Sequence, residues 1–179
     1  MKKYKNYLLP LTLLGILLLA AGCTEVGNSS DESESQNQGE DNISTVLENV
    51  FDGPGEEQEA LLASDSDVED KGEKLDEYYK ENFQPYMSES FFERFVNTNG
   101  AWTFLQPAYP EYALIVDEIT LEEKDEEGHH SFTVKVSYTN NESGESETMT
   151  VEGTAYTNED GKLTSIQYIN DEELRTALN

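Results

Sequence analysis

Cysteine occurs once in these 179 residues, at Cys23. Without a second thiol there can be no intrachain disulfide and no zinc site built on paired cysteines. Basic side chains are also scarce: 11 Lys and Arg stand against 38 Asp and Glu, a formal net charge of −27. So few cations cannot neutralise a run of phosphates, which excludes nucleic acid as a partner. The chain has no GxxxxGK[ST] phosphate loop, no GxSxG nucleophile turn and no HExxH zinc motif. Its longest apolar run, Leu8–Leu19, falls short of the roughly 17–25 residues of a comfortable membrane span, and Pro10 interrupts its start.

That run is the first thing present. Lys2, Lys3 and Lys5 precede it, Ala20-Ala21-Gly22 follows, and Cys23 comes next. A basic start, an apolar centre and a small-residue end make a secretory signal peptide. The stretch LLLAAGC, residues 17–23, resembles the lipobox of bacterial lipoproteins, although Ala20 stands where that family often has Leu. The resemblance implies that the Cys23 thiol receives a diacylglyceryl group, that residues 1–22 are removed, and that the mature chain sits on the extracytoplasmic face of the membrane. Each buried CH₂ contributes about 0.8 kcal/mol, so two acyl chains anchor where one is marginal. Loss of the signal takes three lysines and leaves eight basic against 38 acidic side chains, a charge of −30. Anionic headgroups and wall polymers repel such a surface, so the lipid must do the anchoring.

Residues 24–42, TEVGNSSDESESQNQGEDN, hold six acidic residues, no basic or aromatic residue and one large aliphatic, Val26. This composition cannot offset the entropy of ordering. It predicts that Cys23 and the residues up to Asn42 form a lipidated, disordered acidic tether, with the folded domain spanning 43–179.

From Ile43 the pattern changes. Ile43, Val46, Leu47, Val50 and Phe51 lie on one helical face, closed by Asp52-Gly53-Pro54-Gly55. A second helix is expected over about 56–63. A third is expected from near Glu69, with Leu75, Tyr78, Tyr79 and Phe83 inward until Pro85. A fourth carries Phe91, Phe92, Phe95 and Val96, with Ser88 or Ser90 placed to cap it, Ser90 and Glu93 at capping-box spacing, and Asn99-Gly100 at its end. After Pro110 the period becomes two. Strands are expected over Tyr112–Leu121, around Phe132, Val134, Val136 and Tyr138, around Met149, Val151 and Ala155, and over Leu163–Ile169. Gly153 marks a bulge or a close contact. Turn signals at Gly128, Ser143-Gly144 and Asp160-Gly161 suit antiparallel hairpins. Asp171 is placed to cap a last helix bearing Leu174 and Leu178.

Helices first, then four strands joined by hairpins, describe an α+β domain with one core. The order, together with the phrase TNEDGKLTSIQY at 157–168, resembles the NTF2-like or cystatin-like fold. The resemblance implies N-terminal helices packed on a curved four-stranded antiparallel sheet that can leave a conical pocket. Some members of that superfamily are enzymes with a pocket Asp and Tyr, but Asp117 and the tyrosines here cannot be placed on such positions.

Few residues suggest chemistry. His129 and His130 are adjacent, so on a strand they point to opposite faces and cannot readily share a metal; a solvated loop is expected there. Asp65, Asp67 and Glu69 alternate, but Asp70 stands where a calcium loop needs Gly. No metal and no cofactor is expected. The segment joining helices to sheet concentrates Trp102, Phe104, Tyr109 and Tyr112 between two prolines. These four are the candidate pocket rim or partner face, since rigid aromatics dominate such sites; the alternative is that they close the domain's own core. The expected function is a noncatalytic binding or interaction module on the envelope, held to the membrane through its lipid, with an envelope protein or a small ligand as partner. The alternative is a small-molecule enzyme that uses the conical pocket.

Overall fold

The computed structural model describes residues 29–63 and 68–179, with side chains from 37 onward apart from 68–70; Cys23 and the signal segment lie outside them. Helix α1 runs over Ser29–Phe51. Its ridge is the expected one: Ile43, Val46, Leu47, Val50 and Phe51 are fully buried. The helix stops where Gly53 takes a φ of 130°, a conformation that glycine adopts without a Cβ penalty. Gly53 and Leu114 then exchange backbone hydrogen bonds of 3.0 and 2.6 Å, joining the helix end to the sheet.

The predicted tether is corrected here. Residues 29–42 are helical, and their last turn belongs to the packed domain. Gly39 is buried, and a Cβ there would stand 3.2 Å from Thr157 Oγ1. The Asn42 amide is buried and donates to the Gly161 carbonyl at 2.8 Å. The domain therefore begins upstream of Ile43. Composition concealed this because the contacts use a missing side chain and an amide, not apolar bulk. Replacing Asn42 with Ala leaves the Gly161 carbonyl without its partner. The expected loss is about 1–2 kcal/mol, read as a lower denaturation midpoint.

Helices α2 (Glu56–Leu62) and α3 (Val68–Asn82) follow as expected. Helix α4 covers Glu89–Asn97 and is entered from Ser88. The Ser90–Glu93 capping box does not form. The Ser88 N–H bonds the Leu163 carbonyl at 2.8 Å, so a strand sets the chain direction at this helix start. Asn99, with φ 54°, supplies the left-handed residue that ends the helix. A 3₁₀ turn at Gly100–Trp102 and the short helix α5 (Leu105–Ala108) lead to the sheet.

Strands β1 (Tyr112–Glu123), β2 (His129–Asn140), β3 (Ser146–Thr157) and β4 (Leu163–Tyr168) form an antiparallel sheet in the order β1-β2-β3-β4. Alternation on β2 places Phe132, Val134, Val136 and Tyr138 on the core face. The register slips at Asp117, between the pairs Val116–Val136 and Glu118–Lys135, and such a bulge adds twist. Gly153 stays in register opposite Phe132 and is a close contact, not a bulge.

Helix α6 (Asp171–Ala177) closes the fold. Its flanking residue is Asn170, so Asp171 is the first helical residue and not the cap. The Asn170 side chain accepts the Glu152 N–H at 2.7 Å and donates to the Thr150 carbonyl at 3.1 Å. It acts as an extra rung beside β3. Leu174 and Leu178 are buried as expected. The chain is thus an α+β domain with its helices packed on a four-stranded antiparallel meander. Among the described residues, no helix is long and apolar enough to cross a membrane.

Candidate functional site

Two aromatic clusters pack in the core between helices and sheet. Phe51 and Phe104 stack with ring centres 4.2 Å apart. Tyr168 stands edge-on to Phe104 at 5.3 Å, Phe51 at 5.7 Å and Phe132 at 5.9 Å. Beside them Trp102 stacks on Tyr78 at 5.2 Å, and Phe83 packs on Phe95 at 5.0 Å.

This arrangement divides the four aromatics of the predicted rim. Phe104 is fully buried and Trp102 is 6% exposed. Both are core. Tyr109 and Tyr112 are partly exposed, and Tyr112 meets Tyr138 edge-on at 6.0 Å. The four aromatics do not share one surface.

One edge of Trp102 does reach a surface cleft of about 640 Å³, which also includes Asn99, Thr103, Gln106, Pro107 and Arg175. The elements that build it are the end of α4, the 3₁₀ turn, α5 and the last turn of α6. Thr103 uses its hydroxyl locally, donating to the Gly100 carbonyl at 2.9 Å. Arg175 pairs with Asp171 at 3.6 Å along α6. The lining therefore offers amides and hydroxyls, one balanced cation and a small apolar floor. It can hydrogen-bond a neutral polar group, and it holds no nucleophile beside a base. A second cleft, of about 490 Å³, lies at the end of α1 among Glu48, Asn49, Asp52, Gln58 and Leu114.

The histidines depart from the expected loop. They open β2, and as adjacent strand residues they do point to opposite faces. His129 stacks on Tyr156 at 4.3 Å with the planes 9° apart. His130 is 1% exposed, and neither of its ring nitrogens has a hydrogen-bond partner. Its Nε2 lies 3.9 Å from Glu40 Oε1, too long for a hydrogen bond. The signal for this burial was in the sequence: the inward alternation of residues 132, 134, 136 and 138 extends back to 130. Among the described residues, no group of three or more His, Cys, Asp or Glu is placed to hold a metal ion. Asp117 is exposed at the bulge and accepts a hydrogen bond from Ser137 Oγ at 2.7 Å. It is not a pocket base.

Burial pushes the Tyr79 hydroxyl up to about 12. The Ala101 backbone and the Trp102 side chain nearby offset part of that rise, yet the hydroxyl makes no hydrogen bond of good geometry. Tyr78, Tyr138 and Tyr168 are also raised, with burial as the largest cause. A group whose proton is held more tightly in the folded state leaves stability flat below its unfolded pKa, near 10 for Tyr, and lowers it above. Stability should therefore fall between about pH 10 and 12. Tyr79→Phe removes an unpaired buried hydroxyl. It should hold or gain stability at neutral pH and lessen the alkaline loss, as read from denaturation midpoints across that range.

No protein-family model matches the chain, and no curated protein matches it. Among solved structures the chain is similar to a proposed polyketide cyclase from Xanthomonas campestris. That match has 12% identity and a TM-score of 0.44, over 81% of this chain and 99% of the other. It is also similar to a proposed polyketide cyclase from Pseudomonas putida, with 13% identity and a TM-score of 0.36, over 54% of this chain and 88% of the other.

Proposed function

We propose that this chain is a lipid-anchored extracytoplasmic binding module with no catalytic role, which takes a neutral polar ligand in the cleft beside Trp102. The observation that carries the reading is the packed aromatic interior: Phe51, Phe104 and Phe132 are buried, and Tyr168 meets all three rings. Binding surfaces are left to the outside of the domain. The cleft lining favours a ligand rich in hydroxyl or amide groups. The charge of −30 on the processed chain disfavours polyanions and leaves neutral compounds such as saccharides as the better match. The lipobox-like run ending at Cys23 supports the anchor.

The test uses the full chain in cells. Cys23→Ser should move the protein out of the membrane fraction or leave an uncut precursor. A photoreactive residue at exposed Gln106 should yield an adduct in the envelope, and one at exposed Glu172 should not. An unmodified thiol on mature, membrane-bound protein would remove the anchor. Turnover of a small molecule by the purified protein would replace the binding module with the enzyme.

A further inference from the structure

The anchor and the fold meet at α1. We propose that α1 is a strut that sets the orientation of the domain on the membrane. The sheet end carrying the 124–128 and 158–161 loops faces the lipid, and the end carrying Gly53 and the Asn141–Gly144 hairpin faces outward. The proposal rests on lipidation of Cys23, as above.

Three contacts fix which end of the domain the start of α1 approaches. Gly39 packs against Thr157, Asn42 bonds Gly161, and Glu40 lies beside His130. Thr157 in turn bonds Gly128 backbone to backbone at 2.8 Å, so both loops sit at this end. The other end of α1 is bonded to Leu114, where β1 begins, and Asn141 bonds Glu111 beside it. The packed part of the helix, residues 39–51, is about 18 Å long and points from the 124–128 and 158–161 loops toward the start of β1. A twelve-residue strand such as β2 spans about 35–40 Å.

Upstream of Gly39 the helix continues for ten residues to Ser29. At 1.5 Å per residue that is about 15 Å more, directed away from Gly53. Ser29 is six positions from Cys23, and six residues reach at most about 20 Å in any conformation. The lipid attachment is thus confined to one end of an elongated body.

Charge keeps that end of the body off the lipid surface. Asp125, Glu126, Glu127, Glu159 and Asp160 are all exposed on the lipid-facing loops. An anionic bilayer repels them within a Debye length of about 8 Å at physiological salt. The helical extension of about 15 Å holds these loops beyond that distance, so the lipid is the point of attachment and the helix sets the direction.

The experiment uses the full-length, lipidated protein in phosphatidylglycerol-containing vesicles that carry an acceptor dye in the headgroup region. Acylated Cys23 leaves a single introduced thiol to label, in Asp160→Cys or in Glu142→Cys, both at exposed positions. Energy transfer to the membrane should be severalfold greater from position 160 than from position 142. A flexible Gly-Ser insertion between Asn37 and Gln38 should collapse the difference. Equal transfer in the uninterrupted protein, greater transfer from 142, or a difference that survives the insertion would overturn the strut. Failure of both labelled proteins to bind vesicles would overturn the anchor itself, and the strut with it.

Discussion

Gly153→Ala is expected to lower stability by about 3 kcal/mol or more, a large fraction of what a domain of this size possesses. A Cβ at this position would fall 2.2 Å from Phe132 Cζ and 2.3 Å from the Gln167 carbonyl oxygen. Overpacking against a side chain commonly costs about 1–3 kcal/mol, because the side chain can shift. Here the second obstacle is backbone of β4, which pairs with β3 at this level and cannot turn aside. Phe132→Leu in the same chain should recover only part of the loss. Urea denaturation of the two variants beside the parent measures both quantities. A midpoint for Gly153→Ala within the error of the parent would show that β4 does not approach β3 as described.

Phe104→Ala is the second large effect, at about 3–5 kcal/mol. The ring is fully buried, stacked on Phe51 and met edge-on by Tyr168. Its removal opens a cavity with walls from a helix, a connecting segment and a strand, so the site cannot collapse easily. Tyr109→Ala is the natural comparison, because Tyr109 is partly exposed and its neighbourhood can relax. Its loss should stay near or below about 1 kcal/mol. The pair separates two views of the aromatic segment. A rim residue alters binding and spares stability; a core residue does the reverse.

Most of the fold was legible from periodicity. The i, i+3, i+4 spacing from Ile43 to Phe51 and the alternation from Phe132 to Tyr138 each report one apolar face, and both faces are buried as read. The turn signals at Gly128, Gly144 and Gly161 also hold, each glycine adopting a positive φ. The departures share a cause: contacts that carry no apolar signature. Gly39 packs through what it lacks, Asn42 through an amide, and Asn170 through a carboxamide that imitates backbone. The Ser90–Glu93 box and the Asp171 cap failed for a related reason, since a strand partner or a flanking residue set the helix start two positions earlier in one case and one in the other. At the site, composition located the aromatic segment but could not tell an inward ring from an outward one. That choice depends on the 3₁₀ turn at Gly100–Trp102, whose rotation no periodic pattern encodes.

The bond between Asn42 and Gly161 spans 119 positions in sequence. A chain delivered N-terminus first, from a ribosome or through an export channel, presents the stripe from Ile43 to Phe51 long before Leu163 or Leu174 has emerged. Contacts this distant are made late, because the loop between them must be closed first. The meander itself needs only hairpins between neighbours and can assemble as it arrives. During delivery, then, the greasiest face of α1 waits without its final cover, in the interval when other chains can reach it. The dense negative charge that surrounds that stripe in sequence stays in force throughout this interval and keeps like chains apart until β4 docks.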